Sequence, residues 1–162
     1  MSEQAKAQII PPANTLRLKA GGRFGGIDAD AIAKAEAALK ALSGQFAQWL
    51  DDEIKKLEAA RADIQARGYT PETSEALYLR AHDLKGLGST YEFPLITRIA
   101  ASLCKLTDDA ERRAKAPLFL IDAHIDAIKA CVRDNIRDDS NPIGRALAGE
   151  LEQQAAAHQA AE

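Results

Sequence analysis

The chain has 162 residues and a formal net charge of -3; 46% of its residues are apolar, 28% charged and 5% aromatic. That length fits one soluble globular domain, the scarcity of aromatic and β-branched residues argues against an all-β fold, and the slightly acidic balance supplies no field for nucleic acid. Apolar runs such as Leu118 to Ile121 fall far short of the roughly 18 residues that a membrane span needs, so no membrane association is expected.

Residues 1–27 read as a flexible basic tail. Pro11, Pro12, Gly21, Gly22, Gly25 and Gly26 interrupt them, and Lys6, Arg17, Lys19 and Arg23 stand against Glu3. Those glycines have neither the spacing of a dinucleotide fingerprint nor a preceding strand. No secretory signal is expected, since no continuous apolar stretch follows the start.

A single helical domain is expected over 28–160. Asp28 is a capping residue type, and Ile32, Leu39, Leu42, Phe46, Leu50, Ile54, Leu57 and Ile64 then recur at spacings of three, four or seven. Gly68 supplies a stop. One helix through this whole stretch would be about 57 Å long at 1.5 Å per residue, longer than partners of roughly 20 residues can cover. The pattern therefore predicts a break near Ser43-Gly44, with a leading helix over about 29–42 and a second over about 45–66.

Thr70 and Pro71 form a helix start, and this helix is expected to reach about Tyr91. Pro94 opens a third segment carrying Leu95, Ile96, Ile99, Leu103 and Leu106; Pro117 opens a fourth carrying Ile121, Ile125, Ile128 and Val132; Asn141-Pro142 opens an Ala-rich last helix. Short connections favour antiparallel neighbours. The expected fold is all-α, an antiparallel four-helix bundle with an additional leading helix and a C-terminal helix, its core including Leu39, Phe46 and Val132. Trp49 is read as core, His124 as a surface or boundary residue and His158 as exposed. Arg80 falls angularly between Leu84 and Leu87, so it is expected near an open end of the bundle or reaching past the core edge. Cys104 and Cys131 lie at no metal-ligand spacing and suit a reducing, cytoplasmic setting. No metal site is expected, since the Glu-x-x-His pair of di-metal bundles is missing.

The informative stretch is Leu77 to Ser89. At 100° per residue, Leu77, Ala81, Leu84, Gly88 and Tyr91 form one apolar stripe, and His82 is not on it. Tyr78, Lys85, Gly86 and Ser89 stand three, four or seven positions from His82 and share its face. A lone histidine on such a face is most often solvated background, but two neighbours change the weighing. A mid-helix glycine costs about 1 kcal/mol relative to alanine and usually has a packing or functional reason; Gly86, one turn on, clears room over the imidazole. Lys85 on the other flank can neutralise an anion carried on that ring. Leu79 is an apolar side chain on the same side, suited to an apolar docking patch.

His82-Asp83-Leu84-Lys85-Gly86, followed by small residues and Phe93-Pro94, resembles the histidine-containing phosphotransfer (HPt) domains of bacterial two-component phosphorelays, whose pattern is H-x-L-K-G, small residues, and often G-x-P into the next helix. The likeness extends over about 45–138, with the motif itself over 82–103. Two positions depart from the pattern: Glu92 stands where the family often has the turn glycine, and Cys104 where an acidic residue is common. The resemblance implies a phosphocarrier in which His82 accepts a phosphoryl group from a receiver-domain aspartate and passes it to another, with Lys85 stabilising phosphate charge and Tyr78, Leu79, Gly86 and Ser89 meeting the partner. The partners implied are response-regulator receiver domains and, through them, a sensor histidine kinase. No cofactor is implied for the chain itself, because the Mg²⁺ that such transfer requires is held by the receiver, and a monomer without autonomous kinase activity is expected.

Two other functions compete. One is a helical adaptor that is never phosphorylated. The other is the dimerisation and phosphoacceptor region of a histidine kinase, disfavoured because 162 residues leave no room for an ATP-binding domain and Lys85-Gly86 fits the carrier motif better.

Overall fold

The structure, a computed structural model, describes the backbone of residues 25–162 and side chains from Asp28 onward. The tail expected over 1–27 therefore lies, up to residue 24, outside the described residues. Among the described residues the protein is all helical, with α1 Gly25–Arg67, α2 Pro71–Leu87, α3 Pro94–Thr107, α4 Ala110–Lys115, α5 Leu118–Arg133 and α6 Pro142–Ala160. None of these helices is long and apolar enough to cross a membrane.

The chain divides into two compact units, the first ending at Gln45 and the second running from Phe46 to Glu162. The boundary falls inside α1, and the break expected at Ser43-Gly44 does not occur. An isolated glycine costs a helix only about 1 kcal/mol, and nothing lies within 4 Å of where a Gly44 Cβ would stand, so no packing force interrupts the backbone there. Asp28 lies in the first turn of α1 rather than capping it, a favourable place for a carboxylate near the positive end of the helix dipole. Leu39 and Leu42 are 64% and 45% exposed. The expectation that Leu39 joins the core fails because the described part of the first unit is this one helix, with no second element of its own to cover an apolar stripe.

In the second unit α3 is central, packing against α2, α4, α5 and α6. Its sequence explains that place: Leu95, Ile96, Ile99, Ala100, Leu103, Cys104 and Leu106 are buried on nearly all sides, the pattern of a helix surrounded by neighbours rather than resting on one. Leu50, Ile54, Leu57 and Ile64 of α1, Leu77, Ala81 and Leu84 of α2, Ile121, Ile125 and Ile128 of α5, and Leu151 of α6 complete one core. Each large aliphatic side chain buried in this way contributes about 1.5–3 kcal/mol. Ion pairs at the edges fix the neighbours: Arg61 to Asp126 at 2.7 Å and Lys129 to Glu58 at 3.0 Å join α1 to α5, and a two-pronged contact from Arg98 to Glu152 joins α3 to α6.

Some side chains differ from expectation. Val132 is half-buried against the core; Phe46 is half-buried and Trp49 41% exposed, because they precede Leu50, the first buried side chain of α1 among the described residues, and pack instead with Tyr91 in a cluster of tilted rings 5.5–5.9 Å apart. Arg80, by contrast, does not depart from expectation: it is half-buried, with its guanidinium paired to the partly exposed Asp83 at 3.4 Å. His158 is not exposed but half-buried, with its Nε2 3.8 Å from a Glu162 carboxylate oxygen. His124 is fully buried, contrary to a surface reading: its Nδ1 donates to the Leu120 carbonyl at 2.7 Å and its Nε2 accepts from the Ser102 hydroxyl at 2.9 Å. Those two bonds satisfy both ring nitrogens, which is what permits a polar ring in an apolar interior.

Candidate functional site

The site is built on α2, and α2 is locally well specified. The Thr70 hydroxyl accepts from the Thr73 backbone N–H at 3.2 Å while the Thr70 N–H donates to the Thr73 hydroxyl at 2.9 Å, a reciprocal cap, and Pro71 occupies the first turn. Leu77, Ala81 and Leu84 face the core, which turns His82 outward: it is exposed, as are Lys85, Gly86 and Ser89, with Leu79 47% exposed and Tyr78 half-buried. The Tyr78 ring lies against the imidazole, centroids 5.9 Å apart at 46°. Around Gly86 a Cβ would meet nothing within 4 Å.

The helix ends at Leu87 rather than near Tyr91. Gly86 is consequently its penultimate residue and not a mid-helix glycine, so its cost to the helix is smaller than the sequence pattern implies. Ser89 lies in the following turn, where its backbone N–H donates to the Thr97 hydroxyl at 2.8 Å. The turn closes through Phe93 N–H to the Gly88 carbonyl at 2.8 Å and passes through Glu92 at φ +68°, the left-handed region that favours glycine. Arg137 lies against this turn, with Nη1 3.1 Å from a Glu92 carboxylate oxygen and the guanidinium 4.7 Å from the Phe93 ring centroid.

Lys85 has no carboxylate within 4.0 Å among the described residues. Burial pushes the thiol of Cys104 in α3 up to about 11, and the Lys85 charge pulls against that rise. At that value the buried thiol stays protonated and inert near neutrality, whereas the His82 imidazole is exposed. A neutral imidazole beside a mobile cation and open space can attack an electrophile and hold an anionic product. Among the described residues no three His, Cys, Asp or Glu side chains gather where they could hold a metal ion.

The sequence did not point to Thr97 or Arg113. Thr97 is one turn into α3 and receives the Ser89 N–H. Arg113 belongs to α4, a six-residue helix too short to show a period; its one sequence signal is Asp109, whose side chain caps the Arg112 N–H at 2.8 Å. The Arg113 guanidinium lies 5.0 Å from the Tyr78 ring centroid. Compared with protein-family models, with curated proteins and with solved structures, the chain gave no match to any of them.

Proposed function

We propose that the protein is a phosphorelay intermediate of the histidine-phosphotransfer type, in which His82 accepts a phosphoryl group from the aspartyl phosphate of one receiver domain and passes it to the aspartate of another. The observation that carries the reading is the pairing of an outward imidazole with a cation that has no carboxylate partner among the described residues and an unfilled position one turn away, on a helix whose other face is core. In the transfer, an imidazole nitrogen forms a bond to phosphorus as the O–P bond of the aspartyl phosphate breaks and the carboxylate leaves. Such reactions need positioning and charge stabilisation more than covalent help from the protein, and an exposed site suits a nucleophile that must meet a partner's carboxyl group. Lys85 supplies the charge. Tyr78, Leu79, Gly86 and Ser89 form the surface against which a receiver docks, the Gly86 gap allowing close approach.

On this reading α1 from Leu50 onward, α2, α3 and α5 are the four antiparallel helices of the bundle, α6 is an addition, the Mg²⁺ belongs to the receiver, and the carrier works as a cytoplasmic monomer. Glu92, held in the conformation a turn glycine adopts, leaves the end of the His82 helix compatible with the family pattern. The test is incubation with a receiver domain charged by acetyl phosphate, followed by assay for acid-labile, base-stable label. Label on the wild-type chain and none on His82→Gln is expected. Label that persists in His82→Gln, or a wild type that takes none from a range of charged receivers, overturns the assignment.

A further inference from the structure

We propose that Arg113 is a positioning residue for His82, acting through the ring of Tyr78; the catalytic consequence rests on the phosphoacceptor reading given above. The three groups follow one another in series. The Arg113 guanidinium carbon lies 5.0 Å from the Tyr78 ring centroid, and that ring lies 5.9 Å from the His82 ring at a 46° tilt. An exposed imidazole otherwise samples several staggered side-chain conformers, and an aromatic neighbour in a tilted arrangement narrows that choice. Tyr78 can serve as such a wall only if its own ring is held, and the cation over the ring holds it.

Arg113 is itself anchored in a way that leaves the guanidinium committed to the ring. Its Nε donates to the Thr107 carbonyl at 3.0 Å, and its backbone carbonyl accepts from the Tyr69 hydroxyl at 2.6 Å. The adjacent Arg112 pairs with Asp108 and Asp109 at 3.2 and 3.6 Å, whereas Arg113 has no carboxylate within 4.0 Å among the described residues. The helix that carries it, α4, buries none of its residues, so it adds nothing to the core by its side chains. Its contact with α2 brings the guanidinium to Tyr78.

The experiment uses the full chain, with potassium phosphoramidate as the donor so that no docking partner enters. An imidazole nitrogen bonds to phosphorus as the donor's P–N bond breaks and ammonia leaves. Two quantities are read: the rate of His82 labelling, and the His82 ring resonances of the unphosphorylated protein by NMR. Arg113→Gln is expected to shift those resonances and to slow labelling by about five- to tenfold, less than the hundredfold that misplacing a tightly held group can cost. Arg113→Lys, which keeps a cation over the ring, recovers most of both. Tyr78→Leu slows labelling as much as Arg113→Gln, and the double variant is no slower than either, because the two residues act in series. Should Arg113→Gln lose its helical circular dichroism, Arg113→Met carries the same comparison. Unchanged resonances and rate in the charge-removed variant, or single effects that multiply in the double, overturn the proposal. A wild type that takes label on His82 from neither phosphoramidate nor a charged receiver sinks the phosphoacceptor reading instead, while the ring resonances still decide whether Arg113 positions His82.

Discussion

Gly88 and Thr97 approach so closely that a Cβ on the glycine would stand 2.6 Å from the threonine hydroxyl and 2.7 Å from its backbone nitrogen. This contact joins the end of the His82 helix to the start of α3, and the same hydroxyl accepts the Ser89 N–H. Gly88→Ala is therefore expected to destabilise the protein by about 2–3 kcal/mol, since one of the crowded atoms is backbone and cannot rotate away. Gly86→Ala, two residues earlier and with open space around it, is expected to be neutral or to stabilise by less than about 1 kcal/mol, the cost of a mid-helix glycine. Urea melts of the two variants check the contrast; equal effects would contradict the packing described.

Lys85 and Gly86 are expected to fail in different ways. Lys85→Ala leaves the surface open, so receiver binding persists while transfer slows, by less than the roughly 3 kcal/mol attached to a preorganised charge in a dry site because this lysine is solvated. Gly86→Gln keeps the charge but fills the space over His82, so both binding and transfer weaken. Binding and transfer rate measured at matched stability separate the two. A Gly86→Gln variant that behaves as wild type would remove the docking face from the scheme.

The buried His124 makes stability depend on pH. Burial lowers its affinity for protons below the ordinary value of 6.5, against the smaller opposing influence of the Leu120 carbonyl. The unfolded chain thus binds a proton that the folded one refuses, and the stability contributed by the neutral ring is fully present above pH 6.5 and is lost as the pH falls from there toward the depressed folded value. Urea midpoints at pH 8, 6 and 5 are expected to decline more steeply for the wild type than for His124→Gln. Ser102→Ala, which removes the hydroxyl donating to Nε2, is expected to cost about 1–3 kcal/mol at pH 8.

Glu92 holds a left-handed backbone conformation, which costs a side-chain-bearing residue about 1–2 kcal/mol, while its ion pair with Arg137 is exposed and contributes about 0–1 kcal/mol. Glu92→Gly relieves the first and forfeits the second, so its stability should equal or slightly exceed that of the wild type. Glu92→Ala keeps the strain and loses the pair, and should melt earlier than either. If Glu92→Gly is the less stable of the two variants, the backbone conformation is not what limits this turn.

The helix starts and the stripes facing the core were legible in the amino-acid order, because both are local: Thr70 with Pro71 and Asn141 with Pro142 satisfy orphan N–H groups within one turn, and the spacing of Leu77, Ala81 and Leu84 sets by itself that His82 faces away from the core. What periodicity cannot contain is how much of a stripe finds a cover. Leu39 and Leu42 continue the pattern of Leu50 and Ile54 yet stay exposed, since burial depends on which helices lie alongside. His124 reads as polar among charged neighbours and is nevertheless interior, because Ser102, 22 positions away, comes within hydrogen-bonding distance only once α3 and α5 are packed. The end of the His82 helix likewise depends on the Gly88–Thr97 contact, and the Arg113–Tyr78–His82 series on a six-residue helix with no period of its own. Local hydrogen bonding and side-chain spacing fix where helices begin and which way they face; contacts between residues far apart in the chain decide what covers them, where they stop and what surrounds the exposed imidazole.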